Sequence, residues 1–178
     1  MQFSEFEKLV LTRQACRNFN GKSVDKKTLQ KICELCVFTP SACNSQPWNL
    51  YAVHSKEGKQ VIGTALQKNG RNAFLQNAGA FIVISEKPAV LKTDVSKVYP
   101  PDYFVKYDIG EMLAYLTLTA KTLGVESCII GWTDKESIKN YLKFDDDESC
   151  TVVVALGYSE IETRKKIRRD KEDVIKYL

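Results

Sequence analysis

The run AFIVIS, residues 80–85, does most to constrain how this chain can fold. It is short, continuous in apolar character and reads as a buried strand. Three other stretches read the same way: WNLYAVH at 48–54, SCIIGW at 127–132 and CTVVVALGY at 150–158. Helical patterns lie between them. Apolar spacing from Phe3 through Phe6, Leu9 and Val10 predicts an opening amphipathic helix. SVDKKTLQKICELCVF predicts a second, with Asp25 as N-cap and Leu29, Ile32, Cys33 and Cys36 as its stripe. A third follows WNLYAVH, with a break near Gly70. The longest runs from Tyr107 to Leu123, with Ile109, Met112, Leu113, Leu116 and Ala120 on one face and Gly124 as its stop. A last one begins near Asp134. Strands mixed with helices imply a central sheet covered by helices. The segment EKPAVLKTDVSKVYPPDYF carries Pro88, Pro100 and Pro101 and weak periodicity, so it is expected to be mostly loop.

A chain of 178 residues is expected to form one domain, 1–178, able to bury roughly 70% of its unfolded surface. The opening MQFSEFEKLV lacks the pattern of a signal peptide, and no apolar run approaches the length of a membrane span. Six cysteines are scattered through the chain, which reads as reduced thiols and a cytoplasmic location. The net charge of +4 is mild, and part of it lies in TRKKIRR at 163–169, suited to a phosphate-bearing ligand or to a solvated face.

Several familiar chemistries are absent. There is no G-x-G-x-x-G, and NGKSV fails as a phosphate loop because Cys16 stands where its first glycine is required. Cys33 and Cys36 form a C-x-x-C, but they fall on the apolar stripe of their helix and read as packing residues. His54 is the only histidine and lies in an apolar strand, so it is expected to be structural; no triad or zinc site can be built on it. The acidic run at 145–148 is expected to face solvent. Tyr107, Met112 and Tyr115 read as core or interface.

Two features point to a ligand. Arg13 and Arg17 stand four residues apart at the end of the first helix, so both guanidiniums share a side if the helix persists. Alone they read as solvated arginines favourable to the helix dipole, and their other use is to grip phosphate oxygens. The stretch TPSACNSQPWN, 39–49, carries more. Ser41, Ala42, Cys43, Asn44 and Ser45 are small enough to let backbone approach a flat ligand. Asn44 and Gln46 offer amides that match a heterocycle edge. Pro47 biases Gln46 toward extended geometry, and Trp48 anchors the strand that follows. The plainer reading is a capped helix-to-strand loop.

Four blocks together resemble the nitroreductase family of flavin enzymes: TRQACRNF, TPSACNSQPW, LGVESCIIGW and ALGYSEIETRKKIRR, in that family's order and spanning Arg13 to Arg168. The resemblance implies an α+β, nitroreductase-like fold, a central mixed or antiparallel sheet covered by helices on both faces. It also implies a homodimer with FMN at the subunit interface. Carried over by position, Arg13, Lys166 and Arg168 would bind the FMN phosphate, and Arg17 would face the N1/O2 side of the isoalloxazine. Pro40, Ser41 and Ala42 would line the flavin, with Asn44 reaching in from the partner subunit and Gln46 beside it. Ile130 and Gly131 would offer backbone N–H groups near N5 and O4. Asn69 or Arg71 would meet the pyrimidine edge. Ala15 stands where the family often has serine, which removes one hydrogen bond to the phosphate or ribityl chain. No metal and no catalytic side chain are implied, since the flavin carries the chemistry.

The activity implied is an FMN-dependent oxidoreductase that uses NADH or NADPH to reduce nitro compounds, quinones or a related small acceptor, by a ping-pong mechanism. No nucleic-acid or membrane partner is expected. The alternatives are a flavin-binding, redox-responsive module without robust turnover, and a nucleic-acid-binding domain using the basic tail.

Overall fold

The computed structural model describes residues 2–178. Four strands form one antiparallel sheet: β1 (Trp48–Val53), β2 (Ala80–Glu86), β3 (Glu126–Ile130) and β4 (Ser149–Gly157), in the order β1-β2-β4-β3. The register pairs Ala52 with Ile82 and Val83 with Val153, with an irregularity between Ile84 and Ser85. Alternation along β2 sorts the core. Ala80, Ile82 and Ile84 face one side of the sheet, Phe81 and Val83 the other, all essentially inaccessible to water. That is why AFIVIS is apolar throughout.

Each face is covered by two helices. On one side α2 (Lys26–Cys36) contributes Leu29, Ile32 and Cys36, and α5 (Val105–Thr122) contributes Ile109, Met112, Leu116 and Ala120. On the other, Ile62, Ala65 and Leu66 of α3 (Lys56–Leu66) and Ile138 of α6 (Lys135–Leu142) pack on Phe81, Val83 and Val153. Truncating a fully buried residue such as Met112 to alanine is expected to cost about 2–5 kcal/mol. The remaining helices are α1 (Phe3–Thr12) and two single turns, α4 (Thr93–Ser96) and α7 (Lys171–Val174).

The helix boundaries have local causes. Asp25 accepts the Thr28 N–H at 2.9 Å, and Asp134 accepts the Ser137 N–H at 3.4 Å. Gly124, at φ +72°, lets the chain turn out of α5, with the Gly124 and Val125 N–H groups donating to the Lys121 and Ala120 carbonyls.

Four expectations need correction. The first helix ends at Thr12: Arg13 is extended, with φ −62° and ψ 124°. The chain beyond it runs beside β3 through a parallel bridge between Ala15 and Ser127. The apolar stripe of α1 buries none of its residues, and Phe3 and Leu11 remain exposed. His54 lies just past β1 and is exposed, so it is not a core histidine. Within the acidic run, Glu148 is buried, its side chain 0% exposed. It accepts from Tyr51 Oη at 2.6 Å, from Asn49 Nδ2 and from Ser85 Oγ, and pairs with Lys87 at 3.6 Å. Burial and the Glu148 carboxylate push the Tyr51 hydroxyl up to about 12, so it stays a donor.

Candidate functional site

The extended segment after α1 sets the first part of the site. Its bridge to β3 fixes residues 13–17 beside the strand that leads to Gly131, with Cys16 N–H donating to the Ser127 carbonyl at 2.8 Å. Arg13 has left the helix, so the i, i+4 reason for Arg13 and Arg17 to share a side does not hold. The segment after β4 returns across it. Arg164 donates from its backbone N–H and its Nε to Gln14 Oε1 at 3.2 and 3.3 Å, and from Nη2 to the Ala15 carbonyl at 2.8 Å. Lys166 Nζ donates to the Arg13 carbonyl at 2.6 Å.

The two segments enclose a cleft of about 450 Å³, lined by Arg13, Gln14, Ala15, Arg164, Lys165, Lys166, Ile167 and Arg168. Five of these eight are cationic and none is acidic. Partial burial, then the nearby charges of Arg13 and Arg168, hold the Lys166 amine below its ordinary value. Cations held together without a counter-charge favour an anion with several acceptor oxygens, and a phosphate monoester fits that donor set. A smaller hollow of about 160 Å³ adjoins it and contains Arg17, with Gln14, Ala15 and Arg164 lining both. Burial pushes the Cys128 thiol up, while the charge of Arg17 opposes that rise, which places Arg17 beside β3.

At the end of β3, Ile130 is buried and Gly131 is exposed. A Cβ added to Gly131 meets nothing within 4 Å, so a planar group can lie close to this backbone. Arg71 stacks over the ring of Trp132, 4.3 Å from its centroid, and so stands near Gly131. Asn69 is exposed in left-handed backbone at φ 64°. Of these two candidates, Arg71 is the one in contact with the end of β3.

The stretch 39–49 forms a separate wall. Ala42–Asn44 make one 3-10 turn, and Cys43, Asn44 and Gln46 have φ of 54°, 54° and 49°, so Gln46 is not in the extended backbone expected from the proline after it. Non-glycine residues held there cost on the order of 1 kcal/mol each. Ser41 Oγ accepts the Gln46 N–H at 2.9 Å, and Gln46 Nε2 donates to the Asn44 carbonyl at 3.2 Å. Pro40, Asn44 and Gln46 are exposed, while Trp48 is partly buried against the α2/α5 side of the core. Ser45 Oγ accepts the Val90 N–H at 2.6 Å, tying the 86–104 loop to this wall. Among the described residues no hydrogen bond, ion pair or ring contact joins the wall to the basic cleft.

Gln14, Arg164, Trp132 and Asp108, which accepts the Ala42 N–H, escape sequence reasoning. Only Asp108 leaves a local trace, an acid inside the apolar stripe of α5 formed by Val105, Ile109 and Met112. Cys33 and Cys36 do read correctly: burial pushes their thiols up to about 11 and about 12. No group of histidine, cysteine and carboxylate side chains among the described residues could hold a metal ion. No helix among them is long and apolar enough to cross a membrane.

Comparison with known proteins identifies the family and the fold. The family model described as "Nitroreductase family" matches residues 10–68 and 64–158. The "Oxygen-insensitive NADPH nitroreductase" of Helicobacter pylori (strain J99 / ATCC 700824) is 26% identical over 212 aligned positions that cover 100% of both chains. Among solved structures, a nitroreductase family protein from Clostridium difficile 630 superposes with a TM-score of 0.77 at 22% identity, covering 99% of this chain and 98% of that one. An "oxidoreductase containing FMN" superposes at 0.78 with 23% identity, covering 94% and 88%.

Proposed function

The chain belongs to the nitroreductase family, and on that footing we propose that it is an FMN-dependent oxidoreductase taking electrons from NADH or NADPH and passing them to a nitro compound, a quinone or a related small acceptor. The observation that carries the reading is the acid-free basic cleft of Arg13, Lys166 and Arg168, joined through the Ala15–Ser127 bridge to the open backbone at Gly131. One end suits a phosphate and the other a flat ring. A solved structure of similar fold contains FMN, and a relative is named an NADPH nitroreductase.

When bound, FMN supplies the two-electron hydride chemistry. The chain's own residues bind, orient and tune. Arg13, Lys166 and Arg168 hold the phosphate. Arg17 sets a fixed positive charge beside the ring, where such a charge favours added electrons. The Gly131 backbone gives the ring close approach, and Arg71, held on Trp132, borders it. No side chain is required as acid, base or nucleophile. The turnover expected of such a site is ping-pong, the reductant leaving before the acceptor would enter.

The working unit is a homodimer. The wall at 40–46 stands apart from the basic cleft, as a site completed by a second subunit requires. Phe3, Leu11, Phe38 and Tyr107 are large apolar side chains left exposed and open to contact by that partner.

The test is the absorbance spectrum of the purified protein, before and after anaerobic NADH and NADPH. The proposal expects a yellow protein with one FMN per subunit, bleached by at least one reductant and reoxidised by a nitroarene or quinone. A colourless protein that fails to take up added FMN overturns it.

A further inference from the structure

The wall at 40–46 holds three residues in left-handed backbone, Cys43, Asn44 and Gln46, none of them glycine. Backbone of that kind persists only where its surroundings over-determine it. Bonds internal to the loop set its curvature but do not fix it to the molecule. Two external ties do. One runs from the Val90 N–H to Ser45 Oγ, and Val90 is itself exposed. The other runs from the Ala42 N–H to Asp108 Oδ1 at 3.1 Å, and Asp108 is only 5% exposed.

Asp108 stands in the first turn of α5, where a carboxylate suits the helix dipole, but it is buried. It lies in the apolar stripe of α5, whose buried members include Val105, Ile109 and Met112. Its second oxygen, Oδ2, is buried with no hydrogen-bond partner among the described residues. A buried carboxylate with one oxygen unanswered is a poor way to stabilise a helix contact, and an apolar residue would serve packing better. What the carboxylate does provide is an acceptor for the amide that opens the left-handed run.

We propose that Asp108 is the positioning residue of this wall, holding the Ala42 amide so that Ser41 to Gln46 present one fixed surface to the bound flavin. The inference rests on the reading of 40–46 as a flavin wall. Asp108 acts through Ala42, away from the phosphate cleft. Its loss therefore weakens FMN and riboflavin alike, unlike loss of a phosphate contact.

The test compares Asp108→Ala and Asp108→Asn with the wild type by two readouts: hydrogen exchange of the 41–46 peptide in the flavin-free protein, and FMN and riboflavin titrations. Asp108→Ala is expected to speed exchange and to raise Kd for both flavins, each by about tenfold, the worth of one buried hydrogen bond. Asp108→Asn keeps a carbonyl acceptor for the Ala42 amide and is expected to stay within about threefold of wild type on both. If the alanine variant does not fold, Asp108→Ser replaces it, its hydroxyl being too short to span the gap. Unchanged exchange and affinity on truncation, or an asparagine variant as damaged as the alanine one, overturns the proposal. A wild type that binds no flavin defeats the proposed function instead, while the exchange comparison still decides whether Asp108 holds the loop.

Discussion

Lys166 Nζ donates to the Arg13 carbonyl across 2.6 Å, joining residues 153 positions apart into one wall of the basic cleft. Replacing Lys166 and Arg168 together by alanine is expected to weaken FMN by at least about 100-fold, since charge-assisted bonds to phosphate are worth about 1.5–3 kcal/mol each. Riboflavin, which lacks the phosphate, should weaken by no more than about threefold. Fluorescence titration of both flavins checks it, and equal weakening would refute the phosphate assignment.

Gln14 lines the basic cleft, and its side-chain carbonyl takes two bonds from Arg164. Gln14→Ala should reduce FMN affinity by about three- to tenfold, the value of a partly exposed hydrogen-bonded latch. Arg164→Ala should do about the same, and the double variant little more, because the two residues form one contact. Additive losses would mean that they act separately.

Glu148 joins β1, β2 and the start of β4 through Asn49, Tyr51 and Ser85. Glu148→Ala strands the buried Ser85 hydroxyl and the partly buried Asn49 and Tyr51 donors and should cost about 3 kcal/mol, read as a lower thermal midpoint. Burial alone would raise this carboxyl, but the bonds from Tyr51 and Asn49 and the charge of Lys87 hold it below its ordinary 4.5. A depressed carboxyl contributes its stability fully above the unfolded value and loses it as pH falls through the folded one. Midpoints should therefore be level above about pH 5 and fall on acidification below 4.5, more gently in Glu148→Gln.

The thiols of Cys33 and Cys36 should resist alkylation in the folded protein. Raising Cys33 from 9.0 to about 11 cuts its thiolate by about 100-fold at pH 8, before any shielding by burial. Timed iodoacetamide labelling of native and unfolded protein, read peptide by peptide, checks this. Rapid native labelling at these positions would reopen a redox role for the pair.

Sheet and helices were legible because they rest on local signals, continuous apolar strands and the Asp25 and Asp134 caps. The 39–49 stretch alone argues for no more than a flat ligand, and the flavin comes only from the resemblance of four blocks. What was not legible depends on distant partners. Arg13 leaves the helix because residues 15 and 16 pair with Ser127 of β3, which nothing between Phe3 and Arg17 announces. Glu148 is one of four consecutive acids, alike in sequence, and only Asn49 and Tyr51 across the sheet single it out. His54 was misplaced by one residue of strand length, enough to move it from core to solvent. Gln14 and Arg164 meet only because the chain returns after β4. The stripe of α1 is apolar as read, but none of it is buried within this chain.

The open space over Gly131 makes that position a place where abundance and function separate. Its backbone needs no special freedom and a methyl group there would touch no other part of the chain. Gly131→Ala should therefore express like the wild type, and melt like it when both are compared free of flavin, while losing its colour. In a saturation library sorted once for folded protein and once for retained flavin, position 131 should be neutral in the first sort and intolerant in the second, the reverse of what a core residue such as Met112 would give.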